Sequence, residues 1–272
     1  MKLNFYLKQF NAKVLTRLII GGLARVLVIA MVGMPSFIGT QQPPDTTKPK
    51  TTNIAPNTSS IKNQNSLQVQ PSHQGAYDYT FAVVKYNGGG DWYEGQVGIK
   101  ELMKFINKHD IMTAAPKSKT VEITSDLFEY PLLYITGHGG FVVSTGEAAR
   151  LREYLENGGM LFINDDYGLD PFVQKVVKKI FPDRKWSAPP LSHPLYHIYY
   201  QFPNGAPKVH KHDGGPPEVQ AIFHDGEIAI LYTKNTDIGD GWAPYHVHKD
   251  SSAIRQQALR FGMNVILYAL TK

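Results

Sequence analysis

The chain has 272 residues, 28 Lys and Arg against 23 Asp and Glu for a formal charge of +5, and no cysteine. The missing cysteine excludes disulfides, zinc–thiolate sites, iron–sulfur clusters and a thiol nucleophile. The positive charge is confined: residues 1–76 carry eight Lys/Arg and one acid, for +7, while the remainder carries 20 bases and 22 acids, for −2, so the globular part offers no basic face and no nucleic-acid partner is expected.

The first 25 residues hold five positive charges and no acid, and an apolar run over 26–34 follows. Extended over 18–38 it reaches 21 residues, about the ~20 that cross a bilayer. This pattern predicts a signal peptide or N-terminal membrane anchor over 1–39, and so an exported or membrane-anchored protein of the cell envelope whose globular domain lies outside the cytoplasm. An organellar transit peptide or an amphipathic surface helix is the alternative. Residues 40–76, rich in Thr, Pro, Asn, Gln and Ser and without an aromatic, cannot bury enough apolar surface to offset ordering and predict a disordered linker.

From Tyr77 the texture becomes globular. An apolar strand over 79–86 ends in the glycine turn NGGGDW. Ile99, Leu102, Met103 and Ile106 then form one helical stripe. Strands are predicted over 119–124 and 130–136, the second ended by GHGG. A helix over 144–159 opens with a Ser144/Glu147 capping box and stops at Gly158. A strand over 160–164 and a helix over 171–181, with Pro171 at its start, complete the alternation. Two apolar runs around Asp225-Gly226 predict a hairpin. A closing helix over 251–272 shows a stripe of Ile254, Ala258, Phe261 and Val265. The expectation is an α/β domain with a mainly parallel sheet flanked by helices.

In open α/β sheets ligands bind beyond the carboxyl ends of the strands. Asp91 follows the first strand, His138 the third, and Asp165 and Asp166 follow the strand over 160–164. The candidate catalytic residues are His138, Asp165, Asp166 and His193: a strand-end carboxylate can act as base or ligate a hard cation, and an imidazole can exchange protons near neutral pH. The candidate ligand-binding residues are Asp91, Trp92, Gly137, His138, Gly139 and Asp237. Structural alternatives stand beside these. One of the two adjacent aspartates, or Asp170, can cap the helix that follows, and His138 can close a tight turn.

His210 and His212 read as a surface loop, and His246 and His248 would share a face only in a strand. With neither H-E-x-x-H nor a facial-triad spacing, no dedicated metal site and no cofactor is expected, a divalent metal remaining an option. Tyr196, Tyr199, Tyr200 and Phe202 line a binding face or pack on the sheet. No G-x-S-x-G elbow is present.

Taken together, YPLLYITGHGG, the S-x-x-E helix running into GG-x-L-x-I-x-DD, FPDR, HPLYHIYY, DGEIAILYT, DIGDGW and the final R-x-G-x-N-x-x-x-YAL resemble an uncharacterised bacterial family, a domain of unknown function with a class I glutamine amidotransferase-like fold. The resemblance covers residues 77–272. It implies a flavodoxin-like α/β sandwich and no established reaction. Amidotransferases of that class mount a cysteine at a strand-to-helix elbow; the comparable junction here reads FINDDYG, so glutamine hydrolysis by that route is excluded. The expected function is an exported or membrane-tethered domain that binds a ligand or an envelope protein partner. The alternative is a hydrolase-type enzyme with an Asp/His site, with or without a metal.

Overall fold

The structure, a computed structural model, describes residues 77–210 and 212–272. The leader or anchor expected over 1–39 and the linker expected over 40–76 lie outside the described residues. The elements run β1 (Ala82–Lys85), α1 (Gln96–Asn107), β2 (Lys119–Glu122), a 3-10 turn (Ser125–Glu129), β3 (Leu132–Ile135), α2 (Thr145–Glu156), β4 (Met160–Asn164), α3 (Asp170–Ile180), β5 (Glu218–His224), β6 (Glu227–Lys234), α4 (Tyr245–His248) and α5 (Ser252–Thr271). Among the described residues no helix is long and apolar enough to cross a membrane.

The sheet order is β2-β1-β3-β4-β6-β5. Neighbours are parallel from β2 to β6, and β5 is antiparallel on the edge. This is the flavodoxin-like 2-1-3-4-5 order with β6 in the fifth place. The hairpin turns at Asp225 (φ 50°) and Gly226 (φ 86°), the left-handed pair that matches the twist of two antiparallel strands.

Both faces of the sheet are covered, and this explains why β3 and β4 are apolar at consecutive positions. Tyr134 and Phe162 face the side of α1 and α5, with Phe81, Leu102, Trp242 and Phe261. Leu133, Ile135, Leu161 and Ile163 face α2 and α3, with Leu151, Tyr154, Val173 and Val177. The capping box forms as expected: Glu147 N donates to Ser144 Oγ at 3.1 Å and Ser144 N to Glu147 Oε2 at 2.6 Å.

Two expectations are corrected. Strand β1 is shorter than 79–86, because Tyr79 pairs with Ala114 in an isolated bridge. Helix α5 is buried on all sides from Phe261 to Leu270 and not along one stripe, as a helix inside the core should be. Its buried Asn264 accepts from Tyr200 N (2.9 Å) and donates to Leu195 O (3.0 Å), so the aromatic segment around Tyr196 and Phe202 is fastened into the core, with Phe202 edge-on to Phe261.

The loops after β1 and β3 lie backbone against backbone. Gly90 N donates to Gly140 O (2.9 Å) and Val142 N to Asn87 O (2.8 Å). A Cβ at Gly140 would fall 2.0 Å from Gly88 O. These glycines let two loops touch. Gly140→Ala is therefore expected to destabilise the fold by about 1–3 kcal/mol through overpacking. Gly146→Ala, at an exposed position of α2 with open space around it, should stabilise it by about 0.5–1 kcal/mol. Urea denaturation of the two variants reads both signs.

Candidate metal centre

Polar side chains converge where β3, β4 and β6 end. Asn164 closes β4 and is fully buried. Its amide donates to Thr136 Oγ1 (3.3 Å) and Asp237 Oδ1 (3.2 Å), and its Oδ1 accepts from Thr233 Oγ1 (3.2 Å) and Gly239 N (3.3 Å). One side chain thus ties three strand ends to the turn after β6. A Cβ at Gly239 would lie 2.5 Å from the Tyr134 hydroxyl, so this turn passes the core as glycine only. Asp237 adopts φ 58°, a left-handed conformation that Asp tolerates better than most residues.

Asp237 is 1% exposed. Its Oδ1 also accepts from Asp240 N at 3.2 Å. Its Oδ2 accepts no well-aligned hydrogen bond; it is faced by His210 Nδ1 at 3.4 Å and His212 Nε2 at 3.5 Å, and Asp166 lies in polar contact with the same carboxylate. The segment carrying these histidines is not the free surface loop expected from sequence: Val209 N and His210 N both donate to Thr236 O (3.2 and 2.9 Å), which lays it across the end of β6. His210 Nε2 lies 3.0 Å from Asp250 Oδ2, and His210 Nδ1 3.7 Å from Asp240 Oδ2. His248 Nδ1 lies 3.3 Å from the same Asp240 oxygen; the stretch around it is the short helix α4, not a strand. The carboxylate oxygens of Asp166, Asp237 and Asp240 also fall within 4.8 Å of one another.

The two adjacent aspartates divide. Asp165 is structural: Oδ1 accepts from Leu169 N (2.9 Å), and the Tyr232 hydroxyl is 3.2 Å from Oδ2, which fastens the entry to α3. Asp166 turns into the cluster. Asp91 receives the backbone N–H of His138, and His138 Nδ1 stands 3.1 Å from Asp91 and 3.4 Å from Asp166. His138 is thus joined to the cluster through Asp166. Gly137 leaves room for Asp91, whose Oδ1 a Cβ would meet at 2.7 Å, while Gly139 faces open space. Trp92 is half-buried and packs on the core. His193 does not join the group. It accepts from Leu195 N (3.2 Å), and its ring packs on Phe223 and Tyr268 beside the hairpin turn, at the other end of β6 from Asp237. A cleft of about 220 Å³ reaches the cluster past Asp166, Tyr167 and His212.

Residues 80–270 match the family described as a domain of unknown function, DUF4159. The chain belongs to that family. Its mainly parallel α/β order is consistent with an amidotransferase-like topology, without the cysteine. No curated protein matches the chain.

The electrostatics of this DUF4159 domain follow from crowding carboxylates out of water. Burial, then the neighbouring Asp237 charge, pushes Asp166 up to about 9. Burial and Asp237 likewise push Asp240 up to about 8. Asp237 is also buried, but His210, His212, Asp166 and Asn164 outweigh that and hold it well below the usual carboxylate range. The Asp237 carboxylate raises His210 to about 9, against burial. Near neutrality Asp237 is ionised at the centre, and Asp166, Asp240 and His210 hold protons around it.

Sequence reasoning passed over Asp240, His210, His212 and His248 as ligands. The local signals are the H-x-H of KVHKHD, the D-x-x-D of NTDIGDG and the H-x-H of YHVHKD.

A pH dependence follows for the metal-free DUF4159 domain. Asp166, Asp240 and His210 have folded-state pKa values above their unfolded ones, so their contribution is fully present below the unfolded values and is lost as pH rises through about 8 to 9. Asp237 has the opposite sign, and its contribution is lost only in acid. Thermal melts in EDTA should show the melting temperature falling from pH 6 to 9, with a smaller fall in Asp166→Asn. An unchanged slope in that variant would contradict the assignment.

Proposed function

We propose that the domain is a hydrolase-type enzyme with a divalent metal centre whose ligands are drawn from Asp237, Asp166, Asp240 and the imidazoles of His210, His212 and His248. The observation that carries this reading is Asp237 Oδ2: a buried carboxylate oxygen without a hydrogen bond, faced by two imidazole nitrogens at 3.4 and 3.5 Å. Those separations are long for hydrogen bonds. They lie close to the ligand-to-ligand edges of about 3.3–3.4 Å around an ion with bonds of about 2.0–2.1 Å. Mixed carboxylate and imidazole donors without thiolate suit Zn2+, Mn2+ or Fe2+.

Such an ion supplies Lewis acidity and lowers the pKa of bound water. The residues of this chain supply the rest. Asp250 holds His210 by Nε2, leaving Nδ1 to face the cluster. Asn164 and the Asp240 amide hold Asp237 by Oδ1, leaving Oδ2 free. His138 has its Nδ1 engaged by Asp91 and Asp166, so Nε2 is the nitrogen left to take or give a proton. A domain that only bound a ligand or an envelope partner would have no use for three carboxylates crowded out of water, which favours chemistry over binding alone. The charge and apolar pattern of residues 1–39 support an exported or membrane-tethered location.

Addition of Zn2+ or Mn2+ to the EDTA-treated full chain should raise its melting temperature by mass action; Asp237→Asn or His210→Ala should each reduce the rise, and the two together should abolish it. The apparent affinity should increase from pH 6 to about 9, because Asp166, Asp240 and His210 release protons on binding. No shift with any divalent ion would overturn the reading. In fractionated cells the untagged protein is expected with the membrane or outside the cytoplasm; recovery from the cytosol alone would contradict that location.

A further inference from the structure

We infer that the centre holds two divalent cations, with the Asp240 carboxylate shared between them. This rests on the reading of the cluster as a metal site, and deepens it from one ion to a dinuclear pair.

The six side chains fall into three overlapping groups whose ligand atoms lie within 4.8 Å of one another: His210, Asp240 and His248; His210, His212 and Asp237; Asp166, Asp237 and Asp240. Around a single ion with bonds of about 2.0–2.2 Å, no two ligand atoms can be farther apart than about 4.4 Å. Even at the looser limit of 4.8 Å the six residues among those described remain three sets of three and do not merge into one. One ion therefore leaves three of the six donors unused, and two ions that share Asp240 use five of them.

One position is formed by His210 Nδ1, His248 Nδ1 and Asp240, with His248 and His210 at 3.3 and 3.7 Å from Asp240 Oδ2. The other is formed by Asp166, Asp237 and Asp240; His212 Nε2, 3.5 Å from Asp237 Oδ2, lies outside both sets of three. Asp240 is common to both, and a carboxylate has two oxygens to give. Each position has three protein ligands, the number that leaves coordination sites open for water or substrate, as catalytic metal sites do. Two ions about 3.5–4 Å apart are the arrangement that clamps an attacking and a leaving oxygen together.

Independent of the acidic grouping, Asp237 is 1% exposed and its Oδ2 accepts no hydrogen bond, and His212 Nε2 is buried without a partner. Asp237 belongs to the second position, and His212 Nε2 stands 3.5 Å from its Oδ2. The donors next to them are held from behind, as ligands of metal centres are: His210 by Asp250 at 3.0 Å and Asp237 by Asn164 at 3.2 Å.

The test loads the full chain with Mn2+, removes the excess by desalting, and measures bound metal by elemental analysis and the Mn2+ spectrum by electron paramagnetic resonance. Two Mn2+ per chain with an exchange-coupled multiline spectrum is the expected result. His248→Ala, a surface substitution on α4, should retain one Mn2+ with an isolated-ion spectrum, and Asp240→Asn should remove the coupling. One Mn2+ per wild-type chain, or two that are uncoupled, would overturn the dinuclear centre while leaving a metal-assisted reaction standing. No bound Mn2+ would overturn both. Circular dichroism of each variant separates a lost ligand from a lost fold, and Asp166→Asn, predicted to keep only the His248 position, repeats the measurement from the other side.

Discussion

The bond between the Asn164 amide and Asp237 Oδ1 is the constraint around which the polar end of this molecule is organised. It presents a carboxylate at the carboxyl edge of the sheet with almost no access to water. A charge in that position is tolerated only with compensation. The fold supplies it from three directions: the turn after β6 closes on Asp237 through the Asp240 amide, the segment before β5 lays His210 and His212 against it, and the loop after β4 brings Asp166. Much of what is irregular in the domain, including the left-handed backbone at Asp237 and the glycine at 239 that cannot carry a side chain, serves this one placement.

The same sheet edge explains how an amidotransferase-like topology can be reused without a cysteine. Parallel strands end in a row, and their loops meet in one place whatever chemistry they carry. Here Asp91, His138, Asp166 and Asp237 come from the loops after β1, β3, β4 and β6. The two adjacent aspartates of the junction after β4 take different positions. Asp165 fastens the entry to α3, and Asp166 enters the cluster.

The fold was legible because its signals are local. The capping box at Ser144, the Asp225-Gly226 hairpin and the unbroken apolar runs of β3 and β4 each state their structure within a few residues. The site was legible in half. Asp91, His138, Asp166 and Asp237 follow strands, and a general rule about strand ends finds them. His210, His212 and His248 could not be found that way. The segment of His210 and His212 runs between α3 and β5 without periodicity, and its position depends on backbone bonds to Thr236 that no local pattern announces, while His248 sits on the short helix α4 after β6. His193 was drawn in by residue type alone, and packing against Phe223 and Tyr268 accounts for it.

The central claim is that the charge on Asp237 is balanced by metal. Crystals of the full chain grown with Mn2+ and measured at an X-ray energy where manganese scatters anomalously test it most directly. The account predicts anomalous density within about 2.0–2.2 Å of carboxylate oxygens of Asp237 and its neighbours and of an imidazole nitrogen. Density without an anomalous signal there, with Asp166 and Asp237 in direct hydrogen-bond contact in manganese-saturated crystals, would contradict it.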